Sequence, residues 1–456
     1  MITAPLRGNQ DEIFPSEDAS MRSAPLTLLL SAFLCALGCS DGDGGGETGG
    51  AGPTSGPGGS TTSGSGGSAA TTGGTTSGPG GTTTTTAGPT SGSGGAGGDM
   101  AGSGGMGGDG GSGGGGGAGA RIPAASASSL KEAGSKANPP ILIGAAISGS
   151  GLNDANYKRV AAAEHDYVTA ENEMKWDALE PNPGSFNYGA ADNIVNWATS
   201  NGMKVKGHTL VWHNQLPGWA NSLSGSTAVQ QAIRRHIENV MGHFKSKIKH
   251  WDVVNEAVIT DSDTGVGNPR MRPSVFFNAM GVEFIDFAFK VAREQDPEAK
   301  LYYNDYSIDA LNDKADYVYE MIKGMVDRGV PIDGVGFQMH IGPPNNEAGG
   351  ADVAANLKRF SDLGLEVLIS EMDINRCGGV VTAEEQLAYY HDIVAACFSL
   401  PKCVAITFWG INDGRSWLNS WSGALCNGQS SQSLLFNDQY QKKETYNKVL
   451  EALLGR

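Results

Sequence analysis

Between Asp41 and Asp109 this 456-residue chain has no lysine, no arginine and almost no large apolar side chain. Of its 68 glycines, 37 fall between Gly42 and Gly119, among Ser, Thr, Ala and Pro. A stretch so poor in apolar surface cannot offset the entropy of ordering itself, so it reads as a flexible linker. It has no strict Gly-X-Y period, which excludes collagen. The chain also lacks CxxC pairs of the zinc-binding kind, and no glycine-rich phosphate loop follows a strand. Basic charge is scarce throughout: 32 Lys and Arg against 48 Asp and Glu leave a net charge of −16, which argues against a nucleic-acid surface. His236, His243 and His250 recur every seven residues, but the first two suit a helix face and the third begins a strand. No carboxylate or cysteine completes a ligand set around them, so no metal is expected.

Long hydrophobic runs are missing too. The longest apolar segment near the N-terminus, Pro25–Leu37, follows Arg22 and is too short to span a bilayer as a mature helix. It suits the core of an export signal. Residues 1–20 carry Asp11, Glu12, Glu17 and Asp18, a poor leader, so Met21 is the expected start. The segment ends in Ala36-Leu37-Gly38-Cys39, similar to the lipobox of bacterial lipoproteins, although Leu rather than Ala36 is usual three residues before the cysteine. We therefore expect an exported chain, anchored through a lipid on Cys39 or secreted. Residues 1–39 read as extension and signal, 40–125 as a disordered Gly/Ser/Thr-rich linker, and 126–456 as a single globular domain. Four cysteines remain there, Cys377, Cys397, Cys403 and Cys426, an even number in an exported domain. Three connectivities are open; the expected one joins Cys397 to Cys403 and Cys377 to Cys426.

What the globular part does have is repetition. Eight short runs rich in β-branched and aromatic residues span Ile141–Ile147, Tyr167–Glu171, Lys204–Trp212, Lys249–Glu256, Lys300–Asp305, Gly334–His340, Glu366–Asp373 and Ala405–Gly410. Helix-like segments such as Ser226–Lys247, Pro273–Glu294, Asp313–Asp327 and Thr382–Ser399 lie between them. That alternation predicts an α/β fold, and eight units predict a closed (β/α)8 TIM barrel. The C-terminal ends of the runs collect Glu171, His208, Asn255-Glu256, Asn304-Asp305, His340, Glu371 and Asp373. In a barrel these ends share one face, the face on which active sites form. Glu256 and Glu371 stand out, because a carboxylate beside a buried strand is costly unless it is paired or used. Two such acids facing one cleft are the minimum apparatus for cleaving a glycosidic bond.

Seven segments carry a specific resemblance: TAENEMKW (169–176), GHTLVWHNQLPGW (207–219), WDVVNEAV (251–258), LYYNDY (301–306), GVGFQMHI (334–341), LISEMDI (368–374) and TFWGINDGRSW (407–417). Together they resemble family-10 glycoside hydrolases, a group typified by endo-1,4-β-xylanases. The resemblance implies Glu256 as general acid/base and Glu371 as nucleophile of a retaining double displacement, with Glu256 holding a proton at working pH. It implies that His340 and Asp373 attend the nucleophile and that Asn255 donates to a sugar 2-hydroxyl. Glu171, Asn172, Lys175, His208, Trp212 and Gln215 match non-reducing-side sugar contacts. Trp409 and Trp417 match the aromatic walls over the cleavage subsite, whose bulk leaves little room for the hydroxymethyl group of glucose. Tyr306 resembles a leaving-group-side stacking residue with Gln338 as support near it, and Gly265–Arg272 is a leaving-group contact of unassigned role. Trp176 and Trp251 read as core. The implied partner is xylan or xylo-oligosaccharide, the implied protein a monomer, with no cofactor, no nucleic acid and no membrane contact beyond the N-terminal anchor. A related activity on β-1,4-glucans or aryl glycosides is the runner-up.

Overall fold

The computed structural model describes residues 120–262, 265–342 and 350–456. The expected export signal, Cys39 and the glycine-rich tract up to residue 119 lie outside the described residues. Eight parallel strands form the frame: β1 (Leu142–Ile147), β2 (Tyr167–Ala170), β3 (Lys204–Gly207), β4 (Ile248–Asn255), β5 (Lys300–Asp305), β6 (Gly334–Phe337), β7 (Glu366–Ile374) and β8 (Cys403–Phe408). Each pairs with the next, and β8 returns to β1 through Leu142↔Ala405 and Gly144↔Thr407, so the sheet closes into the expected barrel. Two predicted runs are interrupted. After β3 the chain leaves the sheet at His208 and rejoins it at Val211–Trp212, alongside β4. After β6 it leaves at Gln338 and rejoins at His340–Ile341, alongside β7.

Helices cover the barrel because their apolar residues recur at helical spacing. In Ser226–Phe244 the buried positions are Val229, Ala232, Ile233, His236, Ile237, Val240, Met241 and Phe244. Helix Ala383–Ser399 starts on a capping box, with Thr382 and Glu385 satisfying each other's backbone N–H groups. The predicted helix Pro273–Glu294 is in fact two, Val275–Met280 and Glu283–Gln295. Gly281 divides them with φ +63°, a left-handed conformation that glycine tolerates and a helix does not. His236 meets Glu180 at 3.0 Å and stacks on Trp176, a packed core arrangement. Trp176 and Trp251 are both buried.

Packed structure begins before residue 126. The Arg121 guanidinium is buried and donates to the carbonyls of Pro139, Phe398, Leu400, Pro401 and Cys403, tying the start of the domain to the turn that precedes β8. Arg121 thus belongs to the barrel rather than to the linker. Both disulfides have the expected pairing, Cys397–Cys403 before β8 and Cys377–Cys426 between the loops that follow β7 and β8.

The barrel interior explains where polar chemistry can sit. Residues two apart on a strand share a face, so each strand contributes to successive interior layers. Near the strand starts Tyr167, Tyr302, Leu368 and Ala405 form an apolar plug. One step further along come Thr169, Lys206, Asn304, Ser370 and Thr407, all fully buried and all polar. Catalytic candidates therefore rest on a buried polar floor.

Candidate active site

The floor is built around Asp252, fully buried on β4. Burial opposes its charge, but Lys206 at 2.7 Å and the His208 Nδ1–H at 2.9 Å outweigh that and hold its pKa below the ordinary carboxylate range. Leaving either charge alone in such a place would be expensive, so lysine and aspartate must occur together. His208 also lies 4.0 Å from Glu371 Oε1. Its Nδ1 is committed to Asp252, so any sugar contact would fall to the rest of the ring.

Glu256 ends the β4 segment with φ +55°, a turn of the backbone that takes the side chain out of the strand direction. Its Oε2 accepts from Trp212 Nε1 at 2.8 Å, and its Oε1 from Gln338 Nε2 at 3.0 Å and Asn255 Nδ2 at 3.2 Å. His213 stands 3.9 Å away, and Arg272 donates to the Glu256 carbonyl. Burial alone would raise this carboxyl. The charges of His213 and Arg272 and the donors Gln338 and Trp212 prevail, bringing its pKa down to about 2. The structure therefore holds Glu256 ionised, against the expectation of a standing proton. Gln338 Nε2 also donates to Asn255 Oδ1 at 3.4 Å.

Glu371 lies on β7 and is 4 % exposed. Asn304 Nδ2 donates to its Oε1 at 2.7 Å and to Asn255 Oδ1 at 2.8 Å, so a two-amide bridge runs from one catalytic candidate to the other. Ser370 Oγ fixes the Asn304 amide from the other side at 2.6 Å. His340 closes the opposite flank, with Nε2 at 3.3 Å from Glu371 Oε2 and Nδ1 at 2.8 Å from Asp373 Oδ1. Asp373 in turn accepts from Trp417 Nε1 at 2.8 Å. Burial opposes ionisation of Glu371, but His208, His340 and Lys206 lower its pKa nonetheless. The same geometry acts in reverse on His340: burial would lower it, yet Asp373 and Glu371 raise its pKa to about 10. His340 is therefore an imidazolium at neutral pH, donating from both nitrogens.

The remaining candidates gather around this pair in two groups. Lys175 donates to Asn172 at 3.0 Å and lies over the Trp212 ring at 4.9 Å, while Gln215 reaches the same Asn172 oxygen at 3.3 Å. Burial lowers the Lys175 pKa against the pull of Glu371, Glu171 and Glu256. Burial also pushes Glu171 up to about 7, with Lys175 opposing and Glu173 adding to the rise. On the other side Tyr306 receives a hydrogen bond from Arg272 at 2.6 Å and carries Lys314 3.5 Å above its ring. Trp409 and Trp417 stand edge-on to His340, at 6.3 and 5.2 Å between ring centres.

Four participants escaped the sequence reading: Lys206, Asp252, His213 and Lys314. Lys206 and Asp252 sit in strands that also carry other polar residues, so neither stood out in the sequence. Arg272 is now placed as the link between Glu256 and Tyr306. Among the described residues no group of His, Cys, Asp and Glu has the arrangement of a metal site.

Comparison with known proteins agrees with this geometry. The glycosyl hydrolase family 10 model matches residues 129–452. Endo-1,4-β-xylanase B of Thermotoga neapolitana is 40% identical over 309 residues, covering 66% of this chain and 85% of the relative. Among solved structures, native xylanase 10B of Thermotoga maritima is 38% identical with a TM-score of 0.64, covering 71% of this chain and 98% of its own. Xylanase 10B of Thermotoga petrophila RKU-1 in complex with xylobiose is 37% identical with a TM-score of 0.64, covering 72% and 98%. A closed barrel carrying two carboxylates on one amide bridge, matched to that family over almost its whole length, places the chain in glycosyl hydrolase family 10.

Proposed function

We propose that this protein hydrolyses internal β-1,4-xylosidic bonds of xylan with retention of anomeric configuration, Glu371 acting as nucleophile and Glu256 as general acid/base. The endo-1,4-β-xylanase class follows from the family and from relatives that bear that name. The observation that carries the division of roles is the asymmetry around the two acids. Glu371 faces His208 and the imidazolium of His340, which keep it ionised for attack on the anomeric carbon. Glu256, under the charges of His213 and Arg272, accepts its side-chain hydrogen bonds from neutral donors, Trp212, Gln338 and Asn255, which a substrate can recruit. When sugar hydroxyls or the glycosidic oxygen draw these donors away, the carboxylate loses part of what stabilises its charge and its pKa rises. Substrate binding thus supplies the condition for protonation that the free site withholds. The proton passes to the departing oxygen, Glu371 forms the glycosyl-enzyme, and Glu256 then accepts a proton from the attacking water. This double displacement requires the carboxyl groups to stand about 5–5.5 Å apart.

Two measurements test the reading. Xylan should be cleaved with the β-anomer as first product, seen by NMR before mutarotation, and carboxymethylcellulose should be a poor substrate. Cleavage of the glucan but not of xylan would overturn the substrate, and an α-anomer would overturn retention. The recruitment of donors predicts that the alkaline limb of kcat lies at higher pH than that of kcat/KM, since the latter reports the free enzyme. Coincident limbs would mean that substrate leaves Glu256 unchanged.

Two further variants test the support around the nucleophile. Asp373 is the strongest of the influences that raise His340, so Asp373→Asn should let the imidazolium lose its proton at lower pH. The ring pKa of His340, followed by NMR, should then fall by at least ~1 unit. An unmoved value would mean that Asp373 does not set the charge of His340. Gly336 on β6 leaves room for Asn304: a Cβ there would lie 2.2 Å from Asn304 Oδ1. Gly336→Ala should therefore shift the amide bridge, costing about 1–3 kcal/mol in denaturant unfolding and at least ~10-fold in kcat. Full kcat in this variant would show that Asn304 has no positioning role.

A further inference from the structure

The loop after β8 carries the aromatic wall of the site but has little regular structure of its own. It contains only three short 3-10 turns, Asp413–Arg415, Trp417–Asn419 and Ser422–Ala424. A long loop without helix or strand holds a side chain in place only through tertiary contacts. One of those contacts is a disulfide. Cys426 of this loop is bonded to Cys377, three residues past the end of β7, the strand that carries Glu371 and Asp373. The two cysteines form a separate apolar cluster with Leu418 and Ala424, and Trp417 and Trp421 pack against it. Asn375 backs the join, donating to the Ala424 carbonyl at 2.9 Å and accepting from the Cys377 N–H at 2.9 Å.

Trp421 has no role in the site as described so far. Its ring stacks on that of Trp417, 4.8 Å between centres and 22° between planes. Trp417 is thus gripped at three points: Asp373 on its indole N–H, the disulfide cluster, and the face of Trp421. Gly423 packs on the far indole so closely that a Cβ there would lie 2.6 Å from the Trp421 ring.

We propose that the Cys377–Cys426 disulfide and Trp421 are specificity-determining positioning elements. They hold Trp417 as a rigid wall, so that a pentose ring fits at the cleavage subsite and a ring bearing a hydroxymethyl group does not. The covalent bond runs between the loop carrying the wall and the loop that follows the strand carrying the nucleophile, so it restrains the gap between them. Without it, the wall can withdraw to admit the larger sugar. Discrimination by one extra carbon in a pocket is modest and depends on how rigid the pocket is. This inference rests on the proposed xylanase reading and deepens it.

The test compares kcat/KM for nitrophenyl β-xylobioside and nitrophenyl β-cellobioside in the full chain. Wild type must prefer the xylobioside; a preference for cellobioside would defeat the substrate reading itself, whatever the disulfide does. In Cys377→Ser/Cys426→Ser the xylobioside value is expected to fall about 10-fold while the cellobioside value holds or rises, narrowing the ratio by about 10-fold or more. Cys397→Ser/Cys403→Ser removes the other disulfide and should leave the ratio unchanged. Simple destabilisation lowers both substrates together, so an unchanged ratio in the first variant overturns the proposal. Should that variant fail to fold, Trp421→Ala and Gly423→Ala keep the disulfide and disturb the second indole. Narrowing in both supports the proposal, and wild-type selectivity in both overturns it.

Discussion

Replacing Glu371 by alanine is expected to reduce xylan hydrolysis by roughly 10⁵-fold, because no other group stands where the covalent bond must form. The fold should survive. The change removes one buried carboxylate from between His340, His208 and Asn304, and His340 retains Asp373 as its partner. A circular dichroism spectrum and melting curve close to wild type would separate lost chemistry from lost structure. The vacated space also predicts a product. Azide, a small anion, can attack the anomeric carbon from the side where the carboxylate stood. With an activated aryl xylobioside it should give a xylobiosyl azide of opposite configuration to the substrate. Residual turnover above about one part in 10³, without azide and in pure protein, would mean that Glu371 is not the nucleophile.

Glu256→Ala should behave differently, and the contrast is the stronger evidence. On xylan the leaving sugar needs a proton, and losing the acid should cost about 10²–10⁴-fold. A dinitrophenyl xylobioside leaves without protonation, so its first step should run near the wild-type rate. The second step still needs a base to activate water, so the glycosyl-enzyme should accumulate and appear as a burst of dinitrophenol in stopped flow. Loss of the burst, or equal losses on the two substrates, would sink the assignment. Trp212 and Gln338 enter here too. With no carboxylate at position 256 their donors are free, so xylo-oligosaccharides should bind at least as tightly as to wild type.

Much of this arrangement could be read from the chain. Strand starts and the alternation of buried runs with amphipathic segments define the barrel. The polar residues that close those runs define its active face. Boundaries failed where local backbone departs from the repeat. The breaks after Gly207 and Phe337, and the left-handed turn at Gly281, come from single residues that periodicity averages over. The Lys206–Asp252 pair was harder to read, because an isolated lysine in a strand resembles ordinary outward-facing alternation until the partner strand is known. Glu256 is the most instructive case. Its identity as a catalytic candidate is legible from NEA after an apolar run, but its protonation depends on four neighbours drawn from three separate stretches of chain, Trp212 with His213, Arg272, and Gln338. No spacing within one segment encodes that.

The clamp at Arg121 draws a physical edge that composition alone puts in the wrong place. Five backbone carbonyls, four of them around the turn between the last long helix and β8, are satisfied by one guanidinium. Unpaired, those oxygens would need water in a place where little reaches. Anyone shortening the chain from its N-terminus therefore has a sharp limit. A cut that keeps Arg121 leaves the barrel seam closed, whereas a cut one residue further opens it beside the Cys397–Cys403 bridge.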